Sequence, residues 1–204
     1  MVTRREGLER VAKRGEALEL AVLGLLQDSP MHGYELRKQV TALLGWTRVL
    51  SYGSLYPCLK EMLRVGWIAE DTSERQPAAN LSSRRGRIVY KLTADGKERF
   101  AALVSEAGPS AWDDDNFGVH FAFFARTDAE TRLRILEGRR SRLEERLEGV
   151  REAMARTRER VDAYTSELQR HGLESAEREV RWLSELIDNE RTRPARSVTT
   201  NRKD

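Results

Sequence analysis

The sequence has a single cysteine, Cys58, and no long apolar stretch. One cysteine excludes an internal disulfide bond and is typical of a protein that works in a reducing cytoplasm. No window approaches the roughly 18 uncharged apolar residues that a membrane-spanning helix needs, so we expect no membrane contact. The first twenty residues are basic but have no apolar run that ends in small residues, so we expect no secretory signal.

Apolar residues are also few: hydrophobic side chains make up 39% of the 204 residues, and charged side chains make up 34%. A chain this charged cannot fill the interior of a thick sheet sandwich. Its composition instead fits helices that each carry a narrow apolar stripe, arranged in one or two domains.

The net charge of +3 is small, but the charges are unevenly distributed. Residues 1–107 hold 17 basic and 13 acidic side chains, whereas residues 108–204 hold 19 basic and 20 acidic ones. The stretch from Arg75 to Lys91 contains five basic side chains and no acidic one. Such a basic strip is the footprint expected of a nucleic-acid-binding surface, although a solvated arginine-rich loop would have the same composition.

Periodicity divides the chain near Gly108. The segment Gly108-Pro109-Ser110, which is followed by Trp112 and three aspartates, has neither helical nor strand periodicity. Before it the pattern mixes helix and strand, and after it the pattern is almost purely helical. The predicted organisation is an N-terminal domain over 1–107, a linker over 108–127, a helical domain over 128–191 and a disordered basic tail over 192–204.

The N-terminal part begins with three predicted helices. Apolar residues at helical spacing indicate these helices over 16–27, over 33–44 and within 51–65. The start of the third helix stays open. With Ser54 as its N-cap, Pro57 occupies the third helical position at no cost, whereas with Ser51 as its N-cap Pro57 removes one backbone hydrogen bond.

Two short strands, Trp67–Glu70 and Arg87–Leu92, are predicted next, and a fourth helix from Ala94 to Glu106. One face of the second strand is apolar and the other is largely basic. Three helices followed by a two-stranded wing is the element order of a winged helix-turn-helix. In that fold the third helix enters the major groove and the tip of the wing contacts the minor groove or the backbone.

The exposed sides of the third helix and of the wing carry polar, aromatic and basic side chains, which is what DNA binding requires. The candidate DNA-binding residues are Ser51, Tyr52, Ser54, Tyr56, Lys60, Arg84, Arg85 and Arg87. Each has a plainer interpretation that stays open: the serines as helix caps, the tyrosines as half-buried packing residues, and the charged residues as solvated side chains.

Three segments, in this order, closely resemble the DNA-binding domain of the PadR family of bacterial transcriptional regulators: LGLLQDSPMHGYELRKQV, SYGSLYPCLKEMLRVGWI and RRGRIVYKLTADGKE. The resemblance covers about residues 17–100. Its most specific elements are His32-Gly33-Tyr34, Gly53-Ser54-Leu55-Tyr56-Pro57 and Tyr90-Lys91-Leu92-Thr93. It implies a sequence-specific regulator, more often a repressor, that binds double-stranded DNA at a pseudo-palindromic operator. Family members often release DNA on binding small aromatic or drug-like ligands, so the resemblance also implies a small-molecule effector.

The C-terminal part carries a heptad pattern that predicts one long helix from near Asp128 to Gly172. The seam runs from Leu133 to Leu168 in alternating steps of three and four residues. At 1.5 Å per residue this seam spans about 54 Å. A last helix is predicted from Ser175 to Arg191.

A seam this long must pack against another helix, either as a hairpin within the chain or in a second chain. Operators read by such folds are commonly two-fold, so we predict a homodimer held by this coiled-coil arm. The resemblance to the longer-tailed PadR subfamily implies the same assembly. The predicted dimerisation residues are Leu136, Leu143, Leu147, Val150, Met154, Val161, Tyr164, Leu168, Trp182 and Leu183.

The sequence shows no catalytic or metal-binding pattern. It contains no Gly-x-Ser-x-Gly, phosphate-binding loop or carboxylate pair, and Cys58 has no histidine or aspartate partner nearby in sequence. His32, His120 and His171 are isolated and spaced unlike metal ligands. We therefore expect a mainly α protein without enzyme activity, cofactor or metal. The alternative function is that of a helical adaptor that does not itself read DNA.

Overall fold

The computed structural model of the chain describes residues 4–44, 52–71, 88–157 and 162–192. The chain divides into two compact units, Met1–Thr127 and Asp128–Asp204. The first unit combines helices with a small antiparallel sheet, and the second contains two long helices. In the described part of the chain, no helix is long and apolar enough to cross a membrane.

The described part of the first unit contains helices, strands and a 3-10 helix. The helices are α1 (Arg4–Leu26), α2 (Gly33–Leu44), α3 (Tyr52–Arg64), α4 (Ala94–Val104) and α5 (Phe117–Ala122). The strands are β1 (Met31–His32), β2 (Ile68–Glu70) and β3 (Val89–Leu92), and the 3-10 helix is Phe124–Arg126. The first helix is thus longer than predicted and begins twelve residues earlier than the apolar stripe that indicated it.

The core of the first unit surrounds α1, which contacts α2, α3, α4 and α5. The apolar stripes predicted for the second and third helices are confirmed, because the side chains concerned are buried: Leu36 and Val40 on α2, and Leu55, Leu59 and Met62 on α3. Burial of one stripe fixes which side of α3 faces outward.

The predicted pair of wing strands is present as β2 and β3, and a further strand, β1, completes a three-stranded antiparallel sheet in the order β1-β3-β2. β2 pairs with β3 as predicted, with Ile68 opposite Leu92 and Glu70 opposite Tyr90. The additional strand β1 places Met31 on the other side of Tyr90. Two residues are too few to show the alternation of a strand, so only the pairing with β3 reveals β1.

The segment 108–127 is not the linker that its glycine, proline and aspartate content predicted, because it folds into α5 and the 3-10 helix as part of the first unit. Phe117 and Phe123 are buried. The Asp113 carboxylate accepts hydrogen bonds from the backbone N–H groups two and three residues later, at 3.0 and 2.9 Å. The turn-forming residues therefore make a tight bend within the unit rather than an extended connection.

The second unit contains α6 (Ala129–Thr157) and α7 (Ala163–Thr192), so the prediction of one helix ending at Gly172 is wrong. The Asp162 carboxylate caps α7 by accepting hydrogen bonds from the N–H groups of Tyr164 and Thr165, each at 3.0 Å. α7 continues through Gly172 and includes the helix predicted from Ser175. A heptad pattern alone cannot distinguish one long helix from two that share its spacing.

α6 and α7 pack against each other, which is the intramolecular pairing that the sequence left open. Leu136, Leu143 and Leu147 of α6 are buried, as are Leu183 and Ile187 of α7.

Ion pairs fix how the two helices are aligned. Three arginines of α6 contact glutamates of α7, in the pairs Arg132–Glu190 at 2.7 Å, Arg139–Glu179 at 2.9 Å and Arg151–Glu177 at 2.6 Å. The first of these pairs is largely buried, with side chains 16% and 13% exposed. Because residue numbers rise along α6 as their partners' numbers fall along α7, the helices run antiparallel.

Candidate nucleic-acid interface

α3 supplies the candidate DNA-binding face. It begins at Tyr52, so Pro57 is its sixth residue and the alternative start with Ser54 as N-cap is wrong. Pro57 removes one hydrogen bond from the helix interior, and burial of the apolar stripe compensates for that loss. Ser51 and the side chain of Tyr52 lie outside the described structure, so their roles stay predictions.

The side of α3 opposite its buried stripe is open to solvent. Of the predicted DNA-binding residues, Ser54, Tyr56 and Lys60 lie on this side, and Tyr56 is 39% exposed. Pro57 and Arg64 share the same exposed side at a helical spacing of seven residues. An exposed helix face with hydroxyl, phenol and cationic groups can contact base edges and phosphates together.

The three sequence motifs meet around Gly33 at the start of α2. A methyl group on Gly33 would lie 3.3 Å from Cε2 of Tyr90 and 3.9 Å from Cε1 of Tyr56. Two aromatic rings, one from α3 and one from β3, therefore approach the α2 backbone closely. Tyr90 is buried and holds this junction, whereas Tyr34 beside it is 67% exposed. Of these motif residues, Tyr90 is therefore a packing residue. Tyr34 is a surface aromatic that was not among the predicted DNA-binding residues.

Glu61 and Arg64 form a paired contact on the exposed side of α3. Nε of Arg64 donates to Oε2 of Glu61 at 2.8 Å, and Nη2 donates to Oε1 at 2.5 Å. This contact lowers the pKa of the Glu61 carboxyl, because the guanidinium stabilises the charged form. Neither residue was selected from the sequence, although an acid and a base three residues apart on a helix predict such a pair.

The root of the wing is fixed by contacts between the start of α4 and the turn after α3. Gly66 adopts φ of +83° and thereby ends α3. Oγ1 of Thr93 accepts from the N–H of Gly96 at 3.0 Å and donates to the carbonyl oxygens of Gly66 and Trp67 at 2.7 and 2.9 Å. The same side chain therefore caps α4 and holds the residues that lead into β2.

Arg99 of α4 joins three elements at this root. Its guanidinium lies 5.2 Å from the ring centre of Trp67, and Nε donates to Oε1 of Glu19 on α1 at 2.6 Å. Burial raises the pKa of the Glu19 carboxyl, and the hydrogen bond from Arg99 opposes that shift. Arg99 thus holds α1, α4 and the start of β2 together behind the candidate DNA-binding face.

The basic side chains predicted at the tip of the wing, Arg84, Arg85 and Arg87, lie outside the described residues. The paired part of the wing extends to Asp71, whose N–H donates to the carbonyl of Val89 at 2.7 Å. The side chain of Asp71 pairs with Lys91 at 3.6 Å. DNA contacts by the tip therefore stay predictions.

Cys58 and His120, which show no catalytic or metal-binding pattern in the sequence, have pKa values that are shifted by burial. Sγ of Cys58 lies 3.8 Å from Sδ of Met62, and burial raises the pKa of its thiol to about 12. Burial lowers the pKa of His120 to about 4, so its ring is neutral near pH 7. Among the described residues, no three His, Cys, Asp or Glu side chains form a group that could hold a metal ion.

The predicted dimerisation residues fall into two sets. Leu136, Leu143, Leu147 and Leu183 are buried, and α6 and α7 enclose such apolar side chains between them. Met154 is half-buried, and Val161 lies outside the described residues. The side chains that are open to solvent are Val150 at 38%, Tyr164 at 89%, Leu168 at 70% and Trp182 at 39% exposed. The buried set lies between α6 and α7, whereas the exposed set lies on the surface of the hairpin.

Residues 22–102 match the model of the transcriptional regulator PadR-like family. No curated protein matches the sequence. Among solved structures, a PadR-like regulator from Bacillus cereus is 18% identical with a TM-score of 0.37, covering 85% of this chain and 98% of that chain. Bacillus subtilis PadR with operator DNA is 18% identical with a TM-score of 0.39, covering 85% and 98%. The same protein with p-coumaric acid is 16% identical with a TM-score of 0.39, covering 88% and 98%.

The matched residues run from the last five residues of α1 into α4. They include α3 with its exposed polar side, the three strands, and the Gly33 junction where the sequence motifs meet. The sequence resemblance and the family model therefore agree on the same part of the chain. By this match, residues 22–102 belong to the transcriptional regulator PadR-like family.

Proposed function

We propose that the protein is a sequence-specific DNA-binding repressor that acts as a homodimer in the cytoplasm and responds to a small-molecule effector. The observation that carries the proposal is the two-sided character of α3. Leu55, Leu59 and Met62 bury one side in the core, and the opposite side offers Ser54, Tyr56 and Lys60 to solvent. A rigidly held helix with an open polar side is what major-groove reading requires.

Affinity and specificity come from different groups in this proposal. Ser54 and Tyr56 contact base edges and so discriminate between sequences, while Lys60 contributes a phosphate contact. Arg84, Arg85 and Arg87 of the wing bind phosphates or enter the minor groove. Their contribution is independent of sequence and depends on salt, because each neutralised phosphate releases counterions.

The wing contacts can be tested through the salt dependence of DNA binding. Replacing Arg84 and Arg85 with Ala removes up to four phosphate contacts per dimer. We expect weaker binding to every duplex and a slope of log affinity against log salt that is flatter by about 2–4 units. Fluorescence anisotropy with a duplex selected from a randomised library, and with a scrambled duplex, measures both quantities.

The control for this test replaces Arg142 and Arg178, two exposed arginines of the second unit, with Ala. It changes the net charge by the same amount and should leave the slope within about one unit of the wild type. A wild-type slope in the wing variant would show that the wing does not contact DNA. A folded wild-type protein that selects no duplex would instead be the helical adaptor considered as the alternative function.

The dimer is proposed to form through the exposed apolar side chains of the hairpin. Tyr164 and Leu168 lie at the start of α7, one helical turn apart, and Val150 is exposed on α6. Large apolar side chains that stay open in a single chain are typical of a protein–protein interface. A second copy supplies an equivalent apolar surface, and two-fold symmetry then matches a pseudo-palindromic operator.

Leu168→Asp tests this interface. An aspartate buried in an apolar contact is strongly disfavoured, so we expect the dimer dissociation constant to rise about 100-fold. Because Leu168 is exposed within one chain, the hairpin itself should stay folded. Light scattering over a concentration series measures the assembly, and circular dichroism measures the helix content. Ser175→Asp, an exposed polar position on the same helix, is the control and should remain dimeric.

The proposed regulator also binds a small-molecule effector. The family resemblance implies a small aromatic or drug-like ligand. Of the aromatic side chains outside the DNA-binding face, Phe121 and Phe124 are half-buried with ring centres 4.9 Å apart. Thermal melting in the presence of a ligand panel identifies binders, because a ligand that binds only the folded state raises the melting temperature.

A further inference from the structure

Glu61 is the only acidic residue in the sequence of α3, which also carries Lys60 and Arg64. Pro57, Lys60, Glu61 and Arg64 are spaced at i, i+3, i+4 and i+7, so they form one stripe on the exposed side of the helix. The side chains of Arg64 and Glu61 are 69% and 58% exposed. A carboxylate therefore lies on the surface that is proposed to face a polyanion.

The geometry of the Glu61–Arg64 pair leaves defined groups available. Arg64 uses Nε and one hydrogen of Nη2 on Glu61, so both hydrogens of Nη1 and the second hydrogen of Nη2 point away from the carboxylate. Each carboxylate oxygen of Glu61 accepts one hydrogen bond from Arg64 and can accept another. The pair thus presents two donor groups beside an acceptor group.

A G·C base pair presents the complementary pattern in the major groove. Guanine offers N7 and O6 as acceptors, and the neighbouring N4 amino group of cytosine is a donor. Arginine commonly binds guanine through both acceptors, and glutamate accepts from cytosine N4. No other base pair has two adjacent acceptors followed by a donor, because A·T places its donor between two acceptors.

We propose that Glu61 and Arg64 act as one unit that reads a G·C base pair, with Arg64 on guanine and Glu61 on cytosine. This inference rests on the proposed function, since it requires α3 to lie in the major groove. Glu61 keeps the guanidinium of Arg64 oriented toward the base edge. It also opposes binding of the same guanidinium to phosphates, because a carboxylate beside a phosphate is repelled.

The experiment compares full-length wild type with Glu61→Gln, Arg64→Gln and the matched control Lys60→Gln, each used to select duplexes from a randomised library. For the wild type we expect one position in each half-site to be restricted to a G·C pair. Exchanging that pair for A·T should weaken wild-type binding by roughly 5- to 150-fold. Glu61→Gln and Arg64→Gln should each reduce this ratio to within about threefold, while the other positions stay selected.

The three variants separate base reading from charge. Lys60→Gln should weaken binding to both duplexes equally and keep the G·C preference. Glu61→Gln should bind scrambled duplexes more tightly than the wild type, because the face loses a negative charge. If Glu61→Gln and Arg64→Gln keep every wild-type base preference, the inference is overturned while the proposed function stands. A wild-type protein that selects no duplex overturns the proposed function itself.

Discussion

Replacing Phe123 with Ala is expected to lower the free energy of unfolding of the first unit by about 3–5 kcal/mol. The ring is 7% exposed and lies directly on the backbone of α1, where a methyl group on Gly24 would come within 2.1 Å of its Cζ atom. The ring of Phe100 meets it edge to face with centres 5.5 Å apart. Alanine would leave a cavity between α1, α4 and α5.

Hydrogen exchange of the α1 and α4 amides measures this loss separately from the stability of α6 and α7. The matched control is Phe124→Ala, because Phe124 is the next residue and is only half-buried. We expect the control to lose clearly less stability than Phe123→Ala. Equal losses in the two variants would mean that Phe123 does not occupy the core site described above.

Gly96→Ala is the second change with a large expected effect, a loss of about 1–3 kcal/mol or more from the first unit. The added Cβ would lie 2.0 Å from the carbonyl oxygen of Trp67 and 2.8 Å from Cδ1 of Leu92. Backbone cannot move aside as a flexible side chain can, so the start of β2 must shift relative to α4. DNA affinity should fall together with stability, because β2 is one of the two wing strands and begins directly after Trp67.

Gly118→Ala provides the control for Gly96→Ala. Gly118 is exposed in α5, and a Cβ there would have no atom within 4 Å. Alanine is a better helix former than glycine, so this substitution should be neutral or stabilising by up to about 1 kcal/mol. Chemical denaturation of both variants, followed by circular dichroism, measures their free energies of unfolding. Similar stabilities would contradict the close approach of Gly96 to Trp67.

The sequence was sufficient to predict the helices that surround the candidate DNA-binding face. Apolar residues three and four apart on α2 and α3 are buried, because a period of 3.6 residues reports directly on one helix face. The position of the β2–β3 pair was also predicted, with the apolar and basic faces of the second strand as its signal. The start of α3 could not be predicted, since both Ser51 and Ser54 satisfy the local requirements of an N-cap.

Features that depend on contacts between distant segments could not be predicted in the same way. β1 exists because two residues pair with β3, nearly sixty positions later. The segment 108–127 contains turn-forming residues, and nothing local indicates that Phe123 packs on Gly24. The end of α6 and the start of α7 could not be predicted, because both helices share one apolar spacing. The hairpin is instead defined by long-range packing and by ion pairs such as Arg132–Glu190.

The burial of Cys58 has a practical consequence for labelling. Partial burial raises the pKa of its thiol to about 12, so little of it is ionised at pH 7, and the thiolate is the form that attacks maleimides or iodoacetamides. We therefore expect Cys58 in the folded protein to react with these reagents more slowly than an exposed cysteine does. A fluorophore could be attached through a cysteine introduced at an exposed position such as Ser175, without first removing Cys58 from the back of α3.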